Sequence, residues 1–306
     1  MDTKQIEYIL KIAEENNITK AAEKLFITHS ALNQQLLKLE KELGTPLFHR
    51  SRTNWRLTEA GEIYIEGAKA ALQIKNTTYN RIYDVVSARK GHLTIGLTPG
   101  RGLRMFTSIY PELHRSFPNL DVRPIEMRVR AQQDAIAKGD IDVGLMTLTQ
   151  KDQTSDTYYP LKQEELVLII PSGHPLAAKA APSGEPLTTL DLTELRYEPF
   201  VLMDKTSTLR SSCDLLFEKA GFAPNILFET NNTSGIAAMV QSTLCCGIIP
   251  RYYTLGLTEG VACFSLPERP SWEIVISCQK NAYLNSGARE FIRLAREYWE
   301  NSAPLF

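Results

Sequence analysis

Apolar residues recur at helical spacing from the start of the chain. Ile6, Ile9, Leu10 and Ala13 fall on one face after a candidate Asp2 or Thr3 cap, and Asn16-Asn17 ends the pattern. Thr19 is a candidate cap for a second short helix built on Ala21, Ala22 and Leu25, whose small residues let a neighbour approach closely. After the turn Phe26-Ile27, Thr28 is placed to cap a third helix that carries Leu32, Leu36, Leu39 and Leu43 on its apolar side and closes at Gly44 and Pro46. Ser30, Asn33, Gln34, Leu37 and Lys41 lie opposite, with Lys38 at the edge. Three short helices with a tight second turn predict a helix-turn-helix. Residues 47–58 then read as two short strands joined by a basic tip, a wing carrying Arg50, Arg52 and Arg56.

From Thr58 to about Arg89 no proline intervenes, and Ile63, Gly67, Ala71, Ile74, Thr78, Ile82 and Val85 recur in steps of three and four. This predicts one helix of about 46 Å with an apolar stripe in need of cover, either as a core helix of a larger domain or against a partner. Ser87 to His92 reads as a hinge. Beyond it the period alternates between two and 3.6. Strands are expected at 93–97, 120–127, 141–146, 166–170, 200–203, 226–229 and 272–278. Helices are expected at 103–117 and near 131–138, 208–220, 233–244 and 286–299. Interleaving of this kind predicts an α/β fold with βαβ crossovers.

A length of 306 residues implies two or three domains, and 43% hydrophobic with 23% charged residues is ordinary globular composition. Thirty-four Lys+Arg against 35 Asp+Glu leave a net charge of −1, so any nucleic-acid surface must be local. At the outer face of the third helix, Asn33 and Gln34 match adenine, Lys38 matches guanine or phosphate, and Leu37 matches a thymine methyl. Taken alone, the same face also fits a solvated amphipathic helix. The first twenty residues have no apolar signal core and no run is long enough to span a membrane, from which a cytoplasmic protein is expected. Five cysteines without Cys-x-x-Cys spacing fit reduced thiols.

Several stretches carry a resemblance. Residues 21–28 (AAEKLFIT), Ala31-Leu32, residues 39–48 (LEKELGTPLF) and residues 57–61 (LTEAG) are together similar to the amino-terminal signature of the LysR-type transcriptional regulators. The chain departs at His29-Ser30, where many members have Gln-Pro, and at Asn33-Gln34, where many have Ser-Arg. The resemblance implies a winged helix-turn-helix DNA-binding domain (1–58), a linker and dimerisation helix (59–89), and a periplasmic-binding-protein-like effector domain (90–306). That domain would comprise subdomain I (90–162 and 268–306) and subdomain II (163–267). The implied partners are double-stranded DNA, a small-molecule effector and further copies of the chain, as homodimer or homotetramer, with no membrane. The implied DNA contacts are Thr28, His29, Ser30, Asn33, Gln34 and Lys38 from the helix and Arg50, Arg52 and Arg56 from the wing.

Enzyme motifs are missing: there is no phosphate loop of the Gly-x-x-x-x-Gly-Lys kind, no Gly-x-Ser-x-Gly elbow and no His-Glu-x-x-His, and five histidines are scattered. No catalytic residue, metal or cofactor is expected. Thr98-Pro99-Gly100-Arg101 follows a strand and opens a helix, but Met105 occupies the third glycine position of a dinucleotide loop. What remains is a helix start with free N–H groups, and Thr206-Ser207-Thr208 offers a second; either is also simple capping. The resemblance places these loops face to face across a cleft, joined by Thr147 and by Asn231-Asn232. The strand-end rule for α/β sheets favours the same positions. A small anion is therefore the expected effector, with Arg101, Arg128 and Arg210 as candidate charges or as plain surface residues. Two other readings remain: a solute-binding or enzyme-like α/β protein with a helical extension, and a thiol redox sensor using Cys245 or Cys246, where Thr243 and Cys245 occupy positions in which the family commonly has glycine.

Overall fold

The computed structural model describes residues 2–51, 55–86, 89–182, 184–257 and 259–302. The chain divides into two units, Met1–Gly91 with Lys138–Asp140, and His92–Ala137 with Ile141–Phe306.

The first unit begins with α1 (Thr3–Glu15), capped by Asp2, whose carboxylate accepts from Lys4 N. Helix α2 (Ile18–Lys24) is capped by Asn17 instead of Thr19; the Asn17 amide oxygen accepts from both Thr19 N and Lys20 N, two residues earlier than the sequence pattern indicates. Thr28 caps α3 (His29–Leu43), which stops at left-handed Gly44. Ile9, Ile12, Ala21, Leu32 and Leu36 form a dry centre between the three helices. The expected fourth leucine of α3 is displaced: Leu43 is 45% exposed and Glu40 is buried at 8% in its stead. The reason lies in the next segment, where Glu40 accepts from Leu47 N (2.8 Å) and pairs with Arg50.

The wing strands β1 (Phe48–His49) and β2 (Arg56–Leu57) pair antiparallel, Phe48 opposite Leu57. Thr58 fastens their base. Its hydroxyl donates to Pro46 O (2.8 Å) and accepts from Gly61 N (3.0 Å). A Cβ at Gly61 would lie 2.1 Å from Leu47 O, so only glycine lets α4 (Glu59–Val85) start this close to the wing. Helix α4 ends four residues before Arg89; Ser87 and Ala88 of the expected hinge lie outside the described residues. One side of α4 buries Tyr64 and Ala68, whereas Ile74 (69%), Ile82 (52%) and Val85 (84%) are exposed in the single chain.

The second unit runs β3 (Lys90–Leu97), α5 (Arg101–Ser116), β4 (Asn119–Glu126), α6 (Val129–Ala137) and β5 (Val143–Leu148). After the long strand β6 (Thr157–Pro171) come β7 (Pro199–Met203), α7 (Thr208–Ala220), β8 (Asn225–Thr230), α8 (Thr233–Gln241) and β9 (Gly247–Pro250). The unit closes with β10 (Val261–Ser265), β11 (Ser271–Cys278) and α9 (Ser286–Glu300). The main sheet has the order β10-β6-β11-β5-β3-β4 with β9 also on β6, and β7 and β8 form a separate parallel pair.

Two large cores result, one from Leu93 to Leu161 plus Ile274 to Trp299, the other from Leu166 to Trp272. Strands β6 and β11 are antiparallel partners that pass through both cores, and their register slips between Ile274 and Val275. The sequence pattern shows only the apolar half of β6. Its first half carries Lys162, Gln163, Glu164 and Glu165, and the two glutamates are fully buried where periodicity alone expects solvent.

Candidate functional site

Two surfaces hold the residues singled out by sequence, one on each unit. On the first, Thr28, His29, Ser30, Gln34 and Lys38 are exposed and Asn33 is half-buried, all on the side of α3 away from the core. Of the wing arginines, Arg56 is exposed on β2 and Arg52 lies outside the described residues. The sequence shows no acid near Arg50, yet the fold brings one: Arg50 is paired with Glu40 and lies 5.5 Å over the Trp55 ring. Its charge is therefore tied into the junction of α3 and wing.

On the second unit, all ten expected effector residues line one cavity of about 510 Å³: Thr98, Pro99, Gly100, Arg101, Thr147, Thr206, Ser207, Thr208, Asn231 and Asn232. Sequence reasoning missed Ser234, Pro250, Tyr253 and Trp272 in the lining. Tyr253 follows β9, a strand too short and too close to the preceding helix to be read from period, and Trp272 looked like one more alternating strand residue.

Four helices start at this cavity: α5 at Arg101, α6 at Val129, α7 at Thr208 and α8 at Thr233. Each helix start carries the positive end of the helix dipole and first-turn N–H groups without a partner inside the helix, although at α5 Arg101 N and Gly102 N already donate to Pro99 O and Thr98 O (both 3.1 Å). Ser207 Oγ accepts from Leu209 N and Asn232 Oδ1 from Ser234 N, whereas Gly100 (φ 75) provides no side-chain cap to α5. Several hydroxyls are already engaged. Thr147 Oγ1 accepts from Arg101, Thr208 Oγ1 donates to Thr147 O (3.3 Å), and Thr206 Oγ1 contacts Asp204 and Arg128. The hydroxyls of Thr98 and Ser234 and the Asn231 amide have no side-chain partner among the described residues.

Each of the three arginines singled out as candidate charges or surface residues is paired with a carboxylate. Arg101 is 5% exposed and paired with Glu164, which also accepts from Trp272 Nε1 (2.6 Å) and Tyr252 N (3.0 Å). Burial acts to lower the Arg101 pKa, but the Glu164 charge overrides it and holds the guanidinium protonated above its ordinary value. Arg128 pairs with Asp204 (2.8 Å). Arg210 is turned to Asp214 (2.7 Å), Glu229 (2.6 Å) and Met203 O (3.1 Å), and is not in the lining. Both arginines of the lining, Arg101 and Arg128, are thus paired with carboxylates. Among the described residues no His/Cys/Asp/Glu group could hold a metal ion, and no helix is long and apolar enough to cross a membrane.

Comparison with known proteins agrees with this division. Residues 3–62 match the family described as bacterial regulatory helix-turn-helix protein, lysR family, and residues 87–300 match the LysR substrate binding domain. Similar curated proteins include the uncharacterized HTH-type transcriptional regulator YcgK of Bacillus subtilis (29% identity over 97% of this chain and 94% of that one). Another is the Hca operon transcriptional activator HcaR of Escherichia coli (26% identity, 97% and 98%). Among solved structures, a full-length OxyR variant from Pseudomonas aeruginosa has a TM-score of 0.70 at 21% identity, covering 98% of this chain and 95% of that one. Full-length CbnR complexed with its target DNA gives 0.66 at 20% identity, covering 97% and 100%.

Proposed function

Because this chain belongs to the LysR family of transcriptional regulators, we propose that it is a cytoplasmic regulator whose α5–α8 cavity binds a small carboxylate or similar anion. A LysR regulator couples a DNA-binding helix-turn-helix to an effector-binding domain, and both are present here. The observation that carries the anion reading is the convergence of four helix starts on a cavity whose arginines are already paired. Such a lining favours negative charge without a buried countercharge. Neutral hydrogen bonds from Thr98, Asn231 and Ser234 would then fix orientation.

On the DNA side, Thr28, His29, Ser30, Asn33, Gln34 and Lys38 meet base edges in a major groove, and Arg56 meets phosphate. Arg50 serves as the strut that sets the wing. The exposed stripe of α4 is covered by the same stripe of a second copy, since two half-sites are then gripped at once.

A thermal-shift panel of small carboxylates, amines and neutral compounds tests the effector class. Carboxylates are expected to stabilise the protein, and Asn231→Ala to weaken the best of them about tenfold while leaving the free protein's melting temperature unchanged. Ser207→Ala is the poorer probe because it also removes the α7 cap. Stabilisation by amines alone would overturn the anion reading.

A further inference from the structure

Phe26 is 95% exposed, more than any other large apolar side chain among the described residues. Its backbone is left-handed, with φ 53. The hydrogen bonds explain the backbone. Phe26 N donates to Glu23 O (3.1 Å) and Ile27 N to Ala22 O (3.1 Å), the paired bonds of a Schellman turn that ends α2. The residue at this place in the turn must be left-handed, which glycine and asparagine adopt cheaply and a bulky aromatic does not. The ring buries nothing in return. Neither folding nor solvation accounts for a phenylalanine here, and strain of this kind points to a use outside the fold.

Its position indicates that use. Phe26 stands two residues before Thr28, the cap of α3, so chain length alone keeps it within about 7 Å of the helix start. In helix-turn-helix proteins this end of the reading helix is the part that meets base edges. We infer that the Phe26 ring is a DNA contact: it packs on the apolar surface of the duplex beside α3, either a thymine methyl or the C–H face of a deoxyribose. This rests on α3 being the reading helix. The contact removes apolar area from water and releases no counterions, so it adds affinity that salt does not screen.

The test uses the full-length chain and a duplex recovered by wild-type selection from a randomised library, with Kd measured by fluorescence anisotropy at several salt concentrations. Phe26→Asn is expected to weaken binding about fivefold, the effect of losing one apolar base or sugar contact. The salt slope should stay the same and the melting temperature should be equal or higher, because the turn is relieved. Phe26→Tyr should bind as the wild type does. Replacing thymine by deoxyuridine separates the two surfaces: a methyl contact loses the wild-type advantage, and a sugar contact keeps it. Three outcomes overturn the inference: wild-type affinity in Phe26→Asn, a loss accompanied by a lower melting temperature, or an altered sedimentation coefficient of the free variant. Gln34→Ala in parallel isolates the premise. A change in its selected sequence with no effect of Phe26→Asn removes only the ring contact, and no effect of either removes α3 as the reading helix.

Discussion

Glu164 alters the chemistry of the cavity without lining it. By pairing with Arg101 of the lining it compensates the charge of the one buried guanidinium there. Its burial is tolerable because Trp272 Nε1, Tyr252 N and Arg101 together satisfy its oxygens. Burial also governs the cysteines. It pushes the thiols of Cys213 and Cys246 up to about 12 and that of Cys263 up to about 11, and it raises Cys245 and Cys278 as well. A raised thiol pKa means almost no thiolate at neutral pH, which removes the nucleophile that a redox sensor needs. Native protein at pH 7.5 should therefore react slowly with iodoacetamide at Cys245 and Cys246, and unfolded protein quickly. Rapid stoichiometric labelling of either residue in the native state would revive the redox reading.

Helix α4 is the element whose sequence pattern and single-chain environment disagree most. Its apolar stripe was legible, but Ala71 and Leu72 lean on the helix-turn-helix core while Ile74, Ile82 and Val85 face solvent. Each large aliphatic side chain moved out of water contributes roughly 1.5–3 kcal/mol, so a second copy gains from covering them. Ile74→Asp with Ile82→Asp should give a monomer by sedimentation that binds DNA at least tenfold more weakly, because two half-sites are no longer linked. A wild-type monomer at micromolar concentration that still binds tightly would contradict this. Elements with strong period and clear caps, such as α1, α3 and α7, could be read from sequence because local chemistry decides them. Glu40 and the front of β6 could not, since their burial depends on partners outside their own element: Leu47 and Arg50 of the wing for Glu40, and the distant Arg101 and Trp272 for Glu164. The cavity was legible for a related reason. Strand ends followed by Thr, Ser and Asn mark helix starts one by one, whereas the paired charges on Arg101 and Arg128 follow only from three-dimensional contacts with Glu164 and Asp204.

At the scale of the whole molecule, the two units differ in how their cores are assembled from the chain. The helix-turn-helix core is complete between Ile6 and Ala68, whereas one core of the second unit joins Leu93 to Phe291 and Trp299. Strands β6 and β11 cross between its two cores, so neither closes without late sequence. This has a consequence for the order of events at the ribosome. Domains fold as they emerge, and at about 5–20 residues per second the DNA-binding unit precedes the finished effector domain by roughly 10–40 s. A nascent chain thus owns a folded DNA reader before it can hold any effector. A chain ending at residue 284 should reproduce that moment, yielding after limited proteolysis a helical amino-terminal fragment of about 90 residues while the remainder is digested. Survival of the remainder without α9 would show that the sensor half does not wait for the last helix to be made.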